Sequence, residues 1–352
     1  MIQAVPVLRM LRRARAESEI YWWIDAELSP LLEGDPDLTG HICFHRKRWA
    51  SPRYWPEMVQ TINRLRQVEW DWVIDLQALA RSAVVAWLAR GRVTVGLDDY
   101  REGAAALYDV RVPRPSFATH AVDWYLEVVR TLKVPVRWDF EWLPARPAVA
   151  EAVARRWRPE GHRWIALHPG ARWPTKQWPA ERYAETVRRL AAELPGFRFV
   201  ILGGATPPGL GRQVAASADG RCLDLTGQTS LPEMIEWLRR SELLVSNDSG
   251  PMHVAAALGR PVVALFGPTD PRRTGPYGQV GDVLRVDLSC APCFKSQCAN
   301  PEPLACLKAI APAQVCAAVQ SRLGGAGTGL PRPEVGAARP AMPRATLVHG
   351  GA

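Results

Sequence analysis

LVSNDSGPMHVAAALGRPVVALFGPTD, residues 244–270, reads as strand, tight turn, helix and second strand in one unbroken βαβ unit. Residues 243–246 are apolar and β-prone, and Asn247-Asp248-Ser249-Gly250-Pro251 is dense in turn formers and helix N-caps. An alanine-rich helix follows over 253–258 and is closed by Gly259. A helix entered in this way aims free backbone N–H groups and its positive dipole end beyond the carboxyl edge of the strand, a place that suits a diphosphate. Taken alone, Asp248 and Ser249 serve equally well as plain caps. A second segment of the same kind lies upstream. HPGARWPTKQWP, residues 168–179, sits between an apolar strand at 164–167 and a helix at 180–193, which puts Gly170, Thr175 and Lys176 in another strand-to-helix loop. Two such loops in one parallel sheet can face a single crevice.

Outward from this pair the chain alternates helix and strand. Helical periodicity covers 4–14, 55–67, 82–89 and 120–132, with strands at 19–24, 72–76 and 93–96. Pro144-Ala145-Arg146-Pro147 punctuates the chain as a linker. Beyond it come a helix at 148–157 and strands at 164–167, 197–202, 243–246 and 262–266. The alternation predicts an α/β fold with parallel sheets covered on both faces, in two domains spanning 1–146 and 147–323. The Gly-, Pro- and Ala-rich remainder, 324–352, reads as a disordered tail.

Three marks occur in order along the chain: HPGARWPTKQWP, the Asp-Ser-Gly-x-x-His run from Asp248 to His253, and FGPTDPRRTGPYG at 266–278. On these marks the chain from about residue 164 to 315 resembles glycosyltransferase family 9, the ADP-heptose:lipopolysaccharide heptosyltransferases. The resemblance implies the GT-B architecture, two Rossmann-like domains facing across a cleft. It also implies an inverting, metal-independent transfer of heptose from ADP-heptose to a lipid A–Kdo inner-core acceptor. Under it Lys176 neutralises the diphosphate and assists departure of ADP. Asp248 accepts hydrogen bonds from sugar hydroxyls, Ser249 and Gly250 present backbone N–H groups to the phosphates, and His253 reaches the same phosphates from one turn into its helix. A lone histidine on an apolar helix is more often a packed side chain, so the binding role of His253 rests on the resemblance. Gly170 and Thr175 belong to the same donor site. Thr229, Ser230 and Leu231 fall where the family holds adenine, and Pro268, Thr269 and Asp270 line the cleft. Where relatives often carry an acidic residue for the ribose, residues 203–209 read GGATPPG, without a carboxylate.

The acceptor is expected against the amino-terminal half. Gln77 follows a strand end, Arg101 opens a helix and offers a fork of donors to a phosphate or carboxylate, and His120 is an additional contact. The family opens with a strand and a Gly-Asp loop before a helix that residues 2–8, IQAVPVL, resemble. That aspartate is the expected general base, and here it would fall immediately before Met1. The chain is therefore expected to be truncated at its amino terminus, with two strand edges left unpaired. An in-frame strand ending in Gly-Asp in the upstream coding region supports this expectation, and a stop codon directly before Met1 rules it out.

The formal charge of +9 in 352 residues favours an acidic partner. No nucleic-acid-binding motif accompanies it, and a phosphorylated glycolipid satisfies the same balance. No apolar run reaches the roughly 20 residues of a bilayer span, and no secretory leader is recognisable. The expected location is the cytoplasm, with peripheral contact to the inner face of the inner membrane through Arg46-Lys47-Arg48-Trp49 and the nearby Tyr54-Trp55. No cofactor is required by this chemistry. Cys290, Cys293, Cys298 and Cys306 have spacing compatible with a structural zinc or with free thiols. The rival readings are a family 9 enzyme for another nucleotide-sugar, and a catalytically inactive nucleotide-sugar-binding form.

Overall fold

A computed structural model describes residues 1–99, 101–204, 209–218 and 220–324. The expected tail, all but its first residue, and residues 205–208 of the GGATPPG segment lie outside the described residues, as does the side chain of Arg101.

The amino-terminal half runs α1 (Val5–Ala14), β1 (Tyr21–Asp25), β2 (Gly40–Phe44), α2 (Arg46–Trp49), α3 (Trp55–Arg66), β3 (Trp72–Asp75), α4 (Ala80–Leu88), β4 (Val93–Asp98), β5 (Val110–Pro113) and α5 (Ala121–Thr131). Its strands form two separate parallel sheets, β1-β2 and β3-β4-β5. β1 and β3 share no ladder; the Tyr21 ring meets Trp70 edge-on at 5.6 Å, and the Arg15 guanidinium lies 5.6 Å from the centre of Trp72.

The carboxy-terminal half continues with α6 (Pro147–Trp157), β6 (Arg163–His168), α7 (Ala180–Glu193), β7 (Phe197–Ile201), α8 (Leu210–Ala215), β8 (Cys222–Asp224), α9 (Leu231–Arg240), β9 (Leu243–Asn247), α10 (Gly250–Ala257), β10 (Val262–Leu265), α11 (Pro271–Thr274), α12 (Ala305–Lys308) and α13 (Pro312–Gly324). Here one five-stranded parallel sheet has the order β10-β9-β6-β7-β8. The chain leaves β6 toward β7 on one side and later returns to pair β9 on the other, so the topological switch point lies between the ends of β6 and β9. In open α/β sheets that crevice takes the ligand.

Alternation along the strands explains why this sheet is covered twice. From β6, Ile165 and Leu167 join Tyr183, Val187 and Leu190 of α7 and Val315 and Val319 of α13 in one apolar cluster. Trp164 and Ala166 point the other way, into a cluster with Trp237 and Leu238 of α9 and Met252 and Ala255 of α10. That second cluster continues through Ile2, Val7 and Met10 to Val122, Leu126 and Val129 of α5, so one apolar core crosses from half to half. The linker is fixed too: Arg146 donates to the carbonyls of Pro30 and Leu31 at 2.7 and 2.8 Å, and buried Arg9, paired with Asp35 at 2.6 Å, donates to the carbonyls of Glu141 and Trp142 just before it.

Candidate active site

The two loops at the switch point meet. Lys176 sits at the end of a 3-10 turn, Pro174–Lys176, and its Nζ lies 2.6 Å from Oδ2 of Asp248, the residue that follows β9. The lysine side chain is 19% exposed and the aspartate 6%, so the pair is held where water screens it little. Thr269, at the cleft edge beyond β10, donates its hydroxyl to the same Oδ2 at 2.6 Å. Oδ1 of Asp248 has no partner among the described residues and is free to accept from a ligand hydroxyl. The Trp173 ring, 4.9 Å from the Lys176 ammonium, adds a cation–π contact that fixes the long side chain.

A residue passed over in the sequence builds this geometry. Asn247, the buried last residue of β9, donates Nδ2 to Pro169 O at 2.7 Å, and its Oδ1 accepts from Trp178 N and from the Tyr183 hydroxyl, each at 3.1 Å. One amide thereby staples the 168–179 loop to the start of the 247–250 turn. Its signal was position: a polar, bidentate side chain at a buried strand end next to Asp248 has to find partners.

α10 begins at Gly250, with Ser249 as its N-cap residue, three residues earlier than periodicity suggested, because Gly250-Pro251 already has helical backbone. The Ser249 hydroxyl is paired with Ser246 Oγ at 3.0 Å rather than with the helix, and above Gly250 there is open space. His253, one turn in, is crowded by neighbouring atoms though not sealed from solvent. Burial lowers its pKa to about 4; Asp248 works the other way, while His120, the amino-terminal ammonium and Lys176 add smaller repulsions. Those influences place both halves of the chain around one imidazole.

Other expected contacts have different duties. Thr175 is buried and spends its hydroxyl on Lys295 O at 2.8 Å. Asp270 caps α11 and pairs with Arg272 at 2.6 Å, and Pro268 O accepts from Phe294 N at 2.7 Å. Ser230 caps α9 in a capping box with Glu233. Thr229, Ser230 and Leu231 share the carboxyl edge, and β8, which leads into them, is two strands from β6, about 10 Å at the usual strand spacing.

In the amino-terminal half, Asp75 is buried at the end of β3 and accepts from Gln77 N at 2.8 Å and from the Tyr108 hydroxyl at 2.8 Å. This leaves the Gln77 side chain exposed at the strand end. His120 is buried instead. Its Nδ1 accepts from Val122 N at 3.2 Å as the cap of α5, and Nε2 contacts Gly275 O at 3.1 Å. The Tyr277 ring lies 4.9 Å from that ring, tilted by 48°, and its hydroxyl donates to Asp123 at 2.8 Å. His120 therefore clasps the 266–278 segment to α5, and both ring nitrogens are engaged.

The four clustered cysteines are free thiols, Cys290 and Cys298 exposed. Among the described residues no three His, Cys, Asp or Glu side chains stand together as a metal-holding group. Of the two readings of these cysteines, the arrangement is that of free thiols: Cys290 and Cys298 sulfurs accept from Asn300 Nδ2 and Leu304 N, and Cys306 packs against the backbone of Gly267. The basic run at 46–48 is likewise occupied, pairing with Asp25, Glu27 and Glu57.

Beneath the 168–179 loop, buried His168 holds Nδ1 without a partner, and burial lowers its pKa to about 4. Gly203, whose φ of +146° is a backbone conformation that favours glycine, lies over the ring, where an added Cβ would meet Nε2 in ordinary contact at 3.5 Å. An unfolded histidine takes up its proton near pH 6.5. Between about pH 6.5 and about 4 the unfolded chain thus binds more protons, and the fold loses stability as pH falls through that window. His168→Gln is expected to make the loss between pH 7 and 4.5 smaller by about 2 kcal/mol, as measured by urea denaturation; an unchanged loss refutes the assignment.

Residues 58–303 match the sequence profile of glycosyltransferase family 9 (heptosyltransferase). The chain is 29% identical over 309 residues to lipopolysaccharide heptosyltransferase 1 of Pseudomonas aeruginosa, covering 84% of this chain and 83% of that one. Among solved structures it is similar to an Escherichia coli ADP-heptose LPS heptosyltransferase II, with TM-score 0.73, 25% identity, and 92% and 95% of the two chains covered. It is also similar to a family 9 glycosyltransferase of Veillonella parvula, with TM-score 0.76, 26% identity, and 92% and 93% covered. These structural likenesses accord with the GT-B arrangement of the two halves.

Proposed function

The chain belongs to glycosyltransferase family 9 and is a glycosyltransferase, and from that premise we propose that it transfers heptose, with inversion, from ADP-heptose to the inner core of a lipopolysaccharide acceptor. The observation that carries the reading is the Lys176–Asp248 pair, 2.6 Å apart at the switch point of the donor-side sheet. When a nucleoside diphosphate-sugar enters, the Lys176 ammonium turns from Asp248 to the diphosphate and stabilises the charge that grows as the anomeric bond breaks. Asp248 keeps its free Oδ1 for a sugar hydroxyl, with Thr269 holding the other oxygen. No metal ion is needed for this role because the lysine supplies the positive charge. A single in-line displacement inverts the anomeric centre. The proton of the attacking hydroxyl passes to a base, while the residues assigned here hold and stabilise the donor.

The division of labour is residues 147–323 for the donor and 1–146 for the acceptor, which reaches the cleft past Gln77 and, on the resemblance, Arg101. A lipid A–Kdo acceptor brings the enzyme to the cytoplasmic face of the inner membrane as a peripheral protein; no helix among the described residues is long and apolar enough to cross a membrane. The test is turnover with lipid A–Kdo and, in parallel, ADP-heptose, UDP-sugars and dTDP-sugars, followed by nucleoside diphosphate release. Release from ADP-heptose alone is expected. Turnover with another donor only, or ADP-heptose binding without turnover, overturns the reading in favour of the corresponding rival.

A further inference from the structure

Two neighbouring helices of the amino-terminal half show apolar surface to solvent. On α3, Trp55 and Val59 are 52% and 50% exposed, one helical turn apart, and Leu65 is the helix's one buried residue. On α4, Val84 and Trp87 are 43% and 59% exposed. Arg81, Val84 and Trp87 are exposed along one ridge of α4, and Arg90, in left-handed backbone just past the helix end, is exposed as well. α3 and α4 pack against one another, which puts both exposed sets on one part of the amino-terminal half.

The charge around these residues is mainly positive; the carboxylate beside α4, Glu102, is engaged by Ala80 N at 2.9 Å. Arg53, Arg64, Arg66, Arg81 and Arg90 are exposed and make no ion pair among the described residues. The acidic residue of α3, Glu57, is already paired with Arg48 at 2.8 Å. Large apolar side chains flanked by unpaired arginines suit the headgroup layer of an anionic bilayer, where an indole sits at the interface and guanidinium groups meet lipid phosphates. Position agrees with this chemistry. α4 leaves the carboxyl edge of β3 through the loop that carries Gln77, so Arg81 lies four residues from the expected acceptor contact. An acceptor anchored in the bilayer would arrive at that edge.

We propose that α3 and α4 form a docking face for an anionic lipid bilayer, with Trp55, Val59, Val84 and Trp87 entering the headgroup layer and Arg53, Arg81 and Arg90 meeting lipid phosphates. The proposal rests on the reading of the acceptor as a glycolipid. The full chain is sedimented with phosphatidylglycerol-containing vesicles and with pure phosphatidylcholine vesicles. Binding is expected to the anionic vesicles and to weaken with added salt. Trp55→Ser with Trp87→Ser, and separately Arg81→Gln with Arg90→Gln, should each reduce it about tenfold; a thermal melt confirms that the exposed substitutions leave the fold intact. Equal binding by both double variants and the parent, or equal binding to both vesicle types, overturns the docking face. So does a concentration-dependent dimer that the tryptophan variant dissolves while vesicle binding is absent, since a second copy would then be the occupant. Transfer to a delipidated, water-soluble acceptor separates this proposal from the function. A parent that transfers sugar but ignores vesicles sinks the docking face alone; variant-sensitive vesicle binding without transfer sinks the functional reading alone.

Discussion

Lys176→Ala is expected to lower turnover by about two to three orders of magnitude, the usual cost of removing one preorganised group aimed at charge that develops in the transition state. The loss should fall mainly on kcat, because the ammonium does more for the departing diphosphate than for the intact donor. In the resting protein Lys176 is engaged with Asp248 Oδ2 at 2.6 Å and lies against Trp173, so its position is set before the donor arrives. Lys176→Arg keeps the charge, but a planar fork cannot reproduce both a point contact to one carboxylate oxygen and the seat on the indole; it should fall between parent and alanine. Asp248→Asn keeps the shape and leaves the partly buried ammonium without its counter-charge, so donor affinity should change with turnover. Steady-state release of nucleoside diphosphate against donor concentration separates these effects. Turnover by the alanine variant within about threefold of the parent would remove Lys176 from the chemistry.

The meeting of the Lys176 and Asp248 loops was legible because its signals are local. A strand, a turn with Asp248 and Ser249, and an alanine-rich helix occupy consecutive residues, and the Lys176 loop repeats the pattern. Sequence also gave both loops to one parallel sheet, and the order β10-β9-β6-β7-β8 puts them side by side. What stayed hidden depends on contacts distant in sequence. His120 spends its Nε2 on Gly275, 155 residues away, and Thr175 spends its hydroxyl on Lys295, 120 residues away; neither partner is visible from the flanking pattern. Strands β2, β5 and β8 were not read from the sequence; they are five, four and three residues long and between them bury one side chain, Val112. The basic run at 46–48 looked free because its partners Asp25, Glu27 and Glu57 come from other elements. Arg53, Arg64, Arg66, Arg81 and Arg90 lie on or beside α3 and α4, where composition alone does not mark them.

Asn247→Ala is expected to destabilise the carboxy-terminal half by about 2–4 kcal/mol, because it strands the Pro169 carbonyl and Trp178 N in a buried place and leaves the Tyr183 hydroxyl only its 3.4 Å contact to His168 O. The Pro169 carbonyl loses its 2.7 Å donor, and Trp178 N and the Tyr183 hydroxyl lose their common acceptor. No water can easily replace an amide that donates and accepts in opposite directions at the end of a fully buried strand. Asn247→Asp distinguishes lost hydrogen bonds from lost volume. It retains an acceptor for Trp178 and Tyr183 but turns a carboxylate oxygen toward Pro169 O, and burial penalises the charged form. Its folded-state pKa is therefore raised, the folded state takes up a proton that the unfolded chain still lacks, and the stability gap to the parent should narrow as pH falls toward the ordinary aspartate range. The gap for the alanine variant should not narrow. Urea denaturation of the three proteins across pH measures both trends. A gap of equal size for Asp and Ala at every pH would mean that the Asn247 amide does not hold the two loops together. The Lys176–Asp248 geometry would then need another support.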